Sequence, residues 1–146
     1  MPTLPTLHFT GINLWAVLVA AVVSMAIGAM WYSPSLFGKL WMELMGLNES
    51  KLHEMKQKGM AKKYFISLVS QLVAAYGFAV LMNTLSFFPT WADGVIFGFT
   101  LWLSLIATTS LSMVLWEGKP FKLYFLKTVH LLVVFLAMGT LLAVWR

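Results

Sequence analysis

Four apolar runs, each about twenty residues long and almost free of charge, leave this chain few folds to choose from. A helix rising ~1.5 Å per residue needs about twenty residues to cross ~30 Å of hydrocarbon. The runs at about 11–32, 63–85, 92–116 and 122–145 have that length. Four strands cannot close a barrel, and lipid tolerates no open backbone, so the runs are expected to be helices. Composition agrees. Only 10% of the 146 residues are charged and 60% are hydrophobic, whereas a soluble domain carries about 25% charged residues. Ten Lys and Arg with five Asp and Glu cannot cover the surface of a globule of this size. The expected fold class is all-α: one integral membrane domain over 1–146, a four-transmembrane-helix bundle. A short amphipathic, cytoplasmic helical loop at about 33–62 joins helices one and two.

The first ten residues hold no Lys or Arg, only His8. Without a positive n-region, and with an apolar run too long for a signal peptide, the first run is expected to stay as a helix. Prolines mark the ends. Ser33-Pro34 follows the first run, Pro89 the second, and Glu117-Gly118-Lys119-Pro120 the third, because a residue before proline avoids the α region.

The lysines set the orientation. Lys39, Lys51, Lys56, Lys58, Lys62 and Lys63 fall between the first and second runs. Lys119 and Lys122 fall between the third and fourth, with Lys127 one turn further on, and the other side has only Arg146. An even number of spans puts both termini on one side, so the positive-inside bias predicts N-out and C-out in a cell membrane. Trp31, Tyr32, Tyr64, Trp116 and Tyr124 would form the inner aromatic belt, with Trp15, Trp91 and Trp145 the outer one. The net charge of +5 therefore needs no nucleic-acid partner, and membrane lipids are the expected partners.

Within the loop, Leu36, Phe37, Leu40, Trp41, Leu44 and Met45 recur at helical spacing, which suits a short helix lying in the interface. A second helix is expected from Asn48, as N-cap, to near Gly59. Its charges, Glu49, Lys51, Glu54, Lys56 and Lys58, read as a solvated face.

Polar and small residues inside the spans are few enough to be informative. Ala16, Ala20, Ser24 and Gly28 form a stripe that lets helix backbones approach. Gly94 and Gly98 make one G-x-x-x-G, expected to pack inside the chain, with a homo-oligomer as the alternative. Ser67, Gln71 and Asn83, and Thr100, Ser104, Thr108 and Ser112, make polar seams whose hydroxyls can bond back to their own helices. Ser24, Gln71, Thr108 and His130 each stand ~12 Å inside the lysine-bearing end of their helix. They are a candidate polar pocket in the inner leaflet, or a hydrogen-bonded layer that fixes helix register. Glu117, Lys119, Lys122 and Lys127 are expected to form an ion cluster tying the third helix to the fourth. Trp102 is expected to pack near mid-membrane and to satisfy its one polar atom.

No catalytic signature appears: no nucleophile elbow, no H-E-x-x-H, no phosphate loop and no intramembrane carboxylate pair. His8, His53 and His130 are set apart and cysteine is absent, so no metal and no cofactor are expected.

Trp31-Tyr32-Ser33-Pro34, Leu36-Phe37-Gly38-Lys39 and Trp41 form a W-Y-S-P-x-L-F-G-K-x-W block. It reads as an interfacial corner in which Pro34 stops the helix, Gly38 allows a close turn, and Phe37 and Trp41 re-enter the interface while Lys39 snorkels. The block resembles a family of small bacterial membrane proteins, the domain of unknown function 1761 family. So do Asn13-x-x-Ala16-Val17, Gly28-x-x-Trp31, the run from Ala107 to Ser112, Glu117-Gly118-Lys119-Pro120 and Met138-Gly139. Met113 departs from the pattern, standing where a polar residue such as asparagine is expected. The resemblance covers nearly the whole chain and implies four membrane helices in a bacterial plasma membrane. It implies no activity. The expected role is non-enzymatic, binding a lipid, a small apolar molecule or a partner protein, or purely structural. The alternative is a small transporter that uses the polar layer.

Overall fold

The computed structural model describes residues 7–85 and 90–145; the expected stop at 86–89 and the terminal arginine lie outside the described residues. Among the described residues six helices follow one another: α1 (Leu14–Trp31), α2 (Gly38–Leu44), α3 (Glu49–Gln57), α4 (Ala61–Leu85), α5 (Trp91–Leu115) and α6 (Phe121–Val144). Of these, α1, α4, α5 and α6 are long and apolar enough to cross a membrane.

Side-chain caps set the starts of α1, α3 and α5. Gly11 adopts φ +78°, and the Asn13 side chain accepts hydrogen bonds from the N–H groups of Trp15 (3.1 Å) and Ala16 (3.2 Å). α1 therefore begins after its apolar run does. At α5, the Thr90 N–H donates to the Asp93 carboxylate (3.1 Å) and the Asp93 N–H to the Thr90 hydroxyl (3.3 Å), a reciprocal capping box. Asn48 caps α3 as expected, accepting from the Lys51 N–H at 2.9 Å, and Gly59 turns the chain at φ +85°.

The most extensive packing is between α5 and α6, followed by α1 against α4 and α1 against α6. Small residues make these approaches close. A Cβ on Gly94 would overlap the Gly139 carbonyl oxygen and sit 2.8 Å from the Ala143 Cβ; one on Gly98 would overlap the Phe135 carbonyl. The G-x-x-x-G pair is thus consumed inside the chain, against α6. On α1, Ala16, Ala20 and Ser24 are buried. The core gathers at the end away from the lysines, where Phe78 meets Phe97 and Phe135 edge to face, with ring centroids 5.6 and 5.1 Å apart. At the lysine-bearing end, by contrast, nearly all of the first ten residues of α4 are exposed.

α5 is not a uniform rod. Residues Trp102–Ala107 wind as a π-helix, and the helix breaks again at Leu111. Thr100, Ser104 and Thr108 donate their hydroxyls to the carbonyls of Ile96, Thr100 and Ser104 at 2.8, 2.6 and 2.7 Å, a back-bonding that bends helices. The first and last residues of the π turn are both pinned to α6. Trp102 Nε1 donates to the Thr128 carbonyl (2.7 Å), and the Ala107 carbonyl accepts from the Tyr124 hydroxyl (2.8 Å).

Candidate functional site

The corner after α1 is a folded unit. Tyr32 caps α1 with its N–H on the Gly28 carbonyl (3.1 Å), and the Ser33 hydroxyl donates to the Met30 carbonyl (2.7 Å). The chain then doubles back, with the Phe37 N–H on the Trp31 carbonyl (3.1 Å) and the Gly38 N–H on the Ser33 carbonyl (2.9 Å). Gly38 is buried because of that turn. A Cβ there would lie 2.6 Å from the Ser33 carbonyl oxygen and closer still to that of Tyr32. The turn packs Trp31 against Phe37 (centroids 4.6 Å apart, rings tilted) and Tyr32 edge-on against Trp41 (5.6 Å), while Pro34 and Lys39 stay exposed.

Between this corner and the first turns of α6 lies an apolar cavity of about 300 Å³. Trp31, Phe37 and Leu40 form one wall; Phe121, Lys122, Phe125, Leu126 and Val129 form the other. Its size meets the lower bound of ~300–1,000 Å³ for small-molecule sites, and Lys122 brings its only charge. The corner wall is legible in the sequence. The α6 wall is not singled out there, although Phe121, Phe125 and Val129 recur every fourth residue. In a span that is apolar on all sides, such a stripe gives no contrast.

His130 stands just beyond the cavity, its ring 5.8 Å from that of Trp31 and 5.1 Å from that of Tyr32, with Nε2 turned toward Gly28. Both His130 Nε2 and Trp31 Nε1 are covered and lack a hydrogen-bond partner. Each such atom costs about 1–3 kcal/mol until something pairs with it.

The four residues of the expected polar pocket are divided between different faces. Ser24 is buried one turn before Gly28 and spends its hydroxyl on the Ala20 carbonyl (2.8 Å), while His130 packs against α1 at Gly28. Gln71 is half-buried on α4, and Thr108 is exposed on α5. Thr108 follows the π turn, whose extra residue rotates it by about 100° from where a regular helix would aim it. None of the four lines the apolar cavity, or the smaller pocket of about 50 Å³ beside Asn13, Asn83 and Trp145 at the opposite end.

The expected ion cluster does not form. Glu117, Lys119 and Lys122 are exposed and Lys127 is half-buried; among the described residues none of them enters an ion pair. The turn is closed by backbone instead, with the Lys119 N–H on the Met113 carbonyl (3.1 Å) and Gly118 at φ +64°. An exposed pair gains only ~0–1 kcal/mol, too little to hold long side chains in register. Among the described residues, no three His, Asp or Glu side chains are placed to hold a metal ion.

A family model described as a protein of unknown function (DUF1761) matches residues 15–143, a span that contains both walls of the cavity. No curated protein and no solved structure is detectably similar to the chain. The chain belongs to that family.

Proposed function

We propose that this member of the domain of unknown function 1761 family is a non-enzymatic protein of the bacterial cell membrane, both termini outside, that binds a lipid or small apolar molecule between its aromatic corner and α6. The observation that carries the reading is the cavity of about 300 Å³, walled by aromatic and aliphatic side chains at the lysine-bearing end. A soluble metabolite would find almost nothing to hydrogen-bond there, whereas an apolar group gains ~25 cal/mol for each Å² it buries. The orientation is supported by the lysines, which mark that end as the cytoplasmic one. The test is native mass spectrometry of protein purified in mild detergent. Wild-type protein should carry a bound molecule that the groove-filling variants Val129→Trp and Leu40→Trp lose. Equal loads in all three proteins would overturn the reading.

A small transporter is the second reading, and its candidate polar side chains are Gln71, half-buried on α4, and Ser104 in the π turn of α5. In this cysteine-free chain, Gln71→Cys and Ser104→Cys should react with an impermeant reagent supplied from the lysine-bearing side. Full protection of both thiols rules transport through this route out.

A further inference from the structure

The groove's dimensions and charge say more about its occupant than that it is apolar. We infer that the ligand is one anionic phospholipid of the surrounding bilayer, an acyl chain in the groove and its phosphate on Lys122. The inference rests on the binding reading above.

A cavity of about 300 Å³ has the volume of roughly ten waters at ~30 Å³ each. A methylene group is close to a water molecule in size, so the space suits about ten carbons of a single chain. A chain can enter from the side, because Phe121 and Phe125 on the α6 wall are 59% and 60% exposed and continue the groove onto the helix flank. The depth also fits. The groove sits where α1 ends and α6 begins, the level of headgroups for helices that span the bilayer.

Charge selects among lipids. Lys122 is on the wall, Lys39 immediately precedes the wall residue Leu40, and Lys119 lies in the turn before α6. Among the described residues, none of the three is in an ion pair, and the carboxylates nearest in sequence, Glu43 and Glu117, are likewise unengaged. Lys122 therefore has no protein counter-ion, and a phosphate bound at the mouth supplies one. On the facing wall the Trp31 indole N–H has no acceptor in the protein. A ligand without net negative charge would leave the Lys122 charge unbalanced.

The test uses the full-length protein in mixed micelles holding equal amounts of phosphatidylglycerol and phosphatidylcholine with identical acyl chains, and native mass spectrometry reads what is retained. Wild-type protein should hold one phosphatidylglycerol in about fivefold preference, the ratio given by ~1 kcal/mol per basic residue near an anionic surface. Lys122→Gln, an exposed substitution, should bring the ratio of retained phosphatidylglycerol to phosphatidylcholine close to one. Val129→Trp should lose both. If wild-type protein shows no preference, or Lys122→Gln keeps it, the anionic assignment is overturned and the groove reading stands. If Val129→Trp retains lipid as wild type does, or wild type retains neither lipid, the groove reading itself is overturned.

Discussion

Gly94 and Gly139 meet backbone to backbone across the α5–α6 seam, each occupying the place where the other's side chain would have to be. Substituting either one forces the helices apart. Gly94→Ala and Gly139→Ala should each lower stability by about 1–3 kcal/mol, as overpacking does. The double variant should lose less than the sum, because a seam already spread accepts a second methyl more easily. Unfolding in mixed detergent micelles measures both. Gly77, with nothing within 4 Å of its Cβ position, is the control: Gly77→Ala should be neutral or stabilising by up to ~1 kcal/mol. If Gly94→Ala proves as mild as Gly77→Ala, the seam is not as close as described.

The corner makes a similar demand at Gly38. Gly38→Ala should open the turn, costing about 1–3 kcal/mol and exposing the bond after Lys39 to trypsin. Gly46→Ala provides the contrast. Gly46 adopts φ +65° in open space, so its substitution should cost about 1–2 kcal/mol through backbone strain alone and leave cleavage after Lys39 unchanged.

Two of the capped helices, α1 and α5, give an additive pair. Asn13→Ala and Thr90→Ala should each destabilise by about 1 kcal/mol, and together by the sum, because the caps sit on different helices and share no partner. Asn13→Ser should restore most of the loss. A strongly non-additive double variant would show that the caps do not act locally.

The bonds that pin the π turn should be worth little one at a time. Trp102→Phe and Tyr124→Phe each remove a hydrogen bond to a carbonyl across the seam, at about 0.6 kcal/mol by the average for membrane helices. Both flank the same distorted turn, so a coupled loss above the sum is expected for the pair. Mixed-micelle unfolding of the two single variants and the double variant decides it.

Orientation can be read on whole cells. A thiol at Lys56→Cys, on the exposed face of α3, should resist an impermeant reagent until the cells are opened, whereas Thr10→Cys should react at once. Labelling of Lys56→Cys on intact cells would reverse the topology.

Much of the architecture is legible in the amino-acid sequence because crossing a bilayer is a demand on length and polarity alone. Pro34, Asn48 and Gly59 also announce themselves, since each acts through its own backbone or its nearest neighbours. The candidate site is less accessible. Matching Ser24, Gln71, Thr108 and His130 by height says nothing of the direction in which each side chain points, and the π turn changes that direction for Thr108. The groove escapes notice for a different reason. Phe121, Phe125 and Val129 are conspicuous only beside the corner they face, and that pairing is a tertiary fact. The ion cluster fails because opposite charges close in sequence need not be engaged where water solvates both.

One surplus residue between Trp102 and Ala107 turns α5 into two wheels on one axle, out of phase by about 100°. Removing a single residue from that stretch would restore regular winding as far as the break at Leu111, yet swing everything beyond it to a new bearing. The glycine-keyed half would keep its grip on α6, while the far half would lose its footing on Tyr124. The span's apparent irregularity is in effect its gearing, and trimming it to ideal geometry would unseat the end of the bundle that carries the groove.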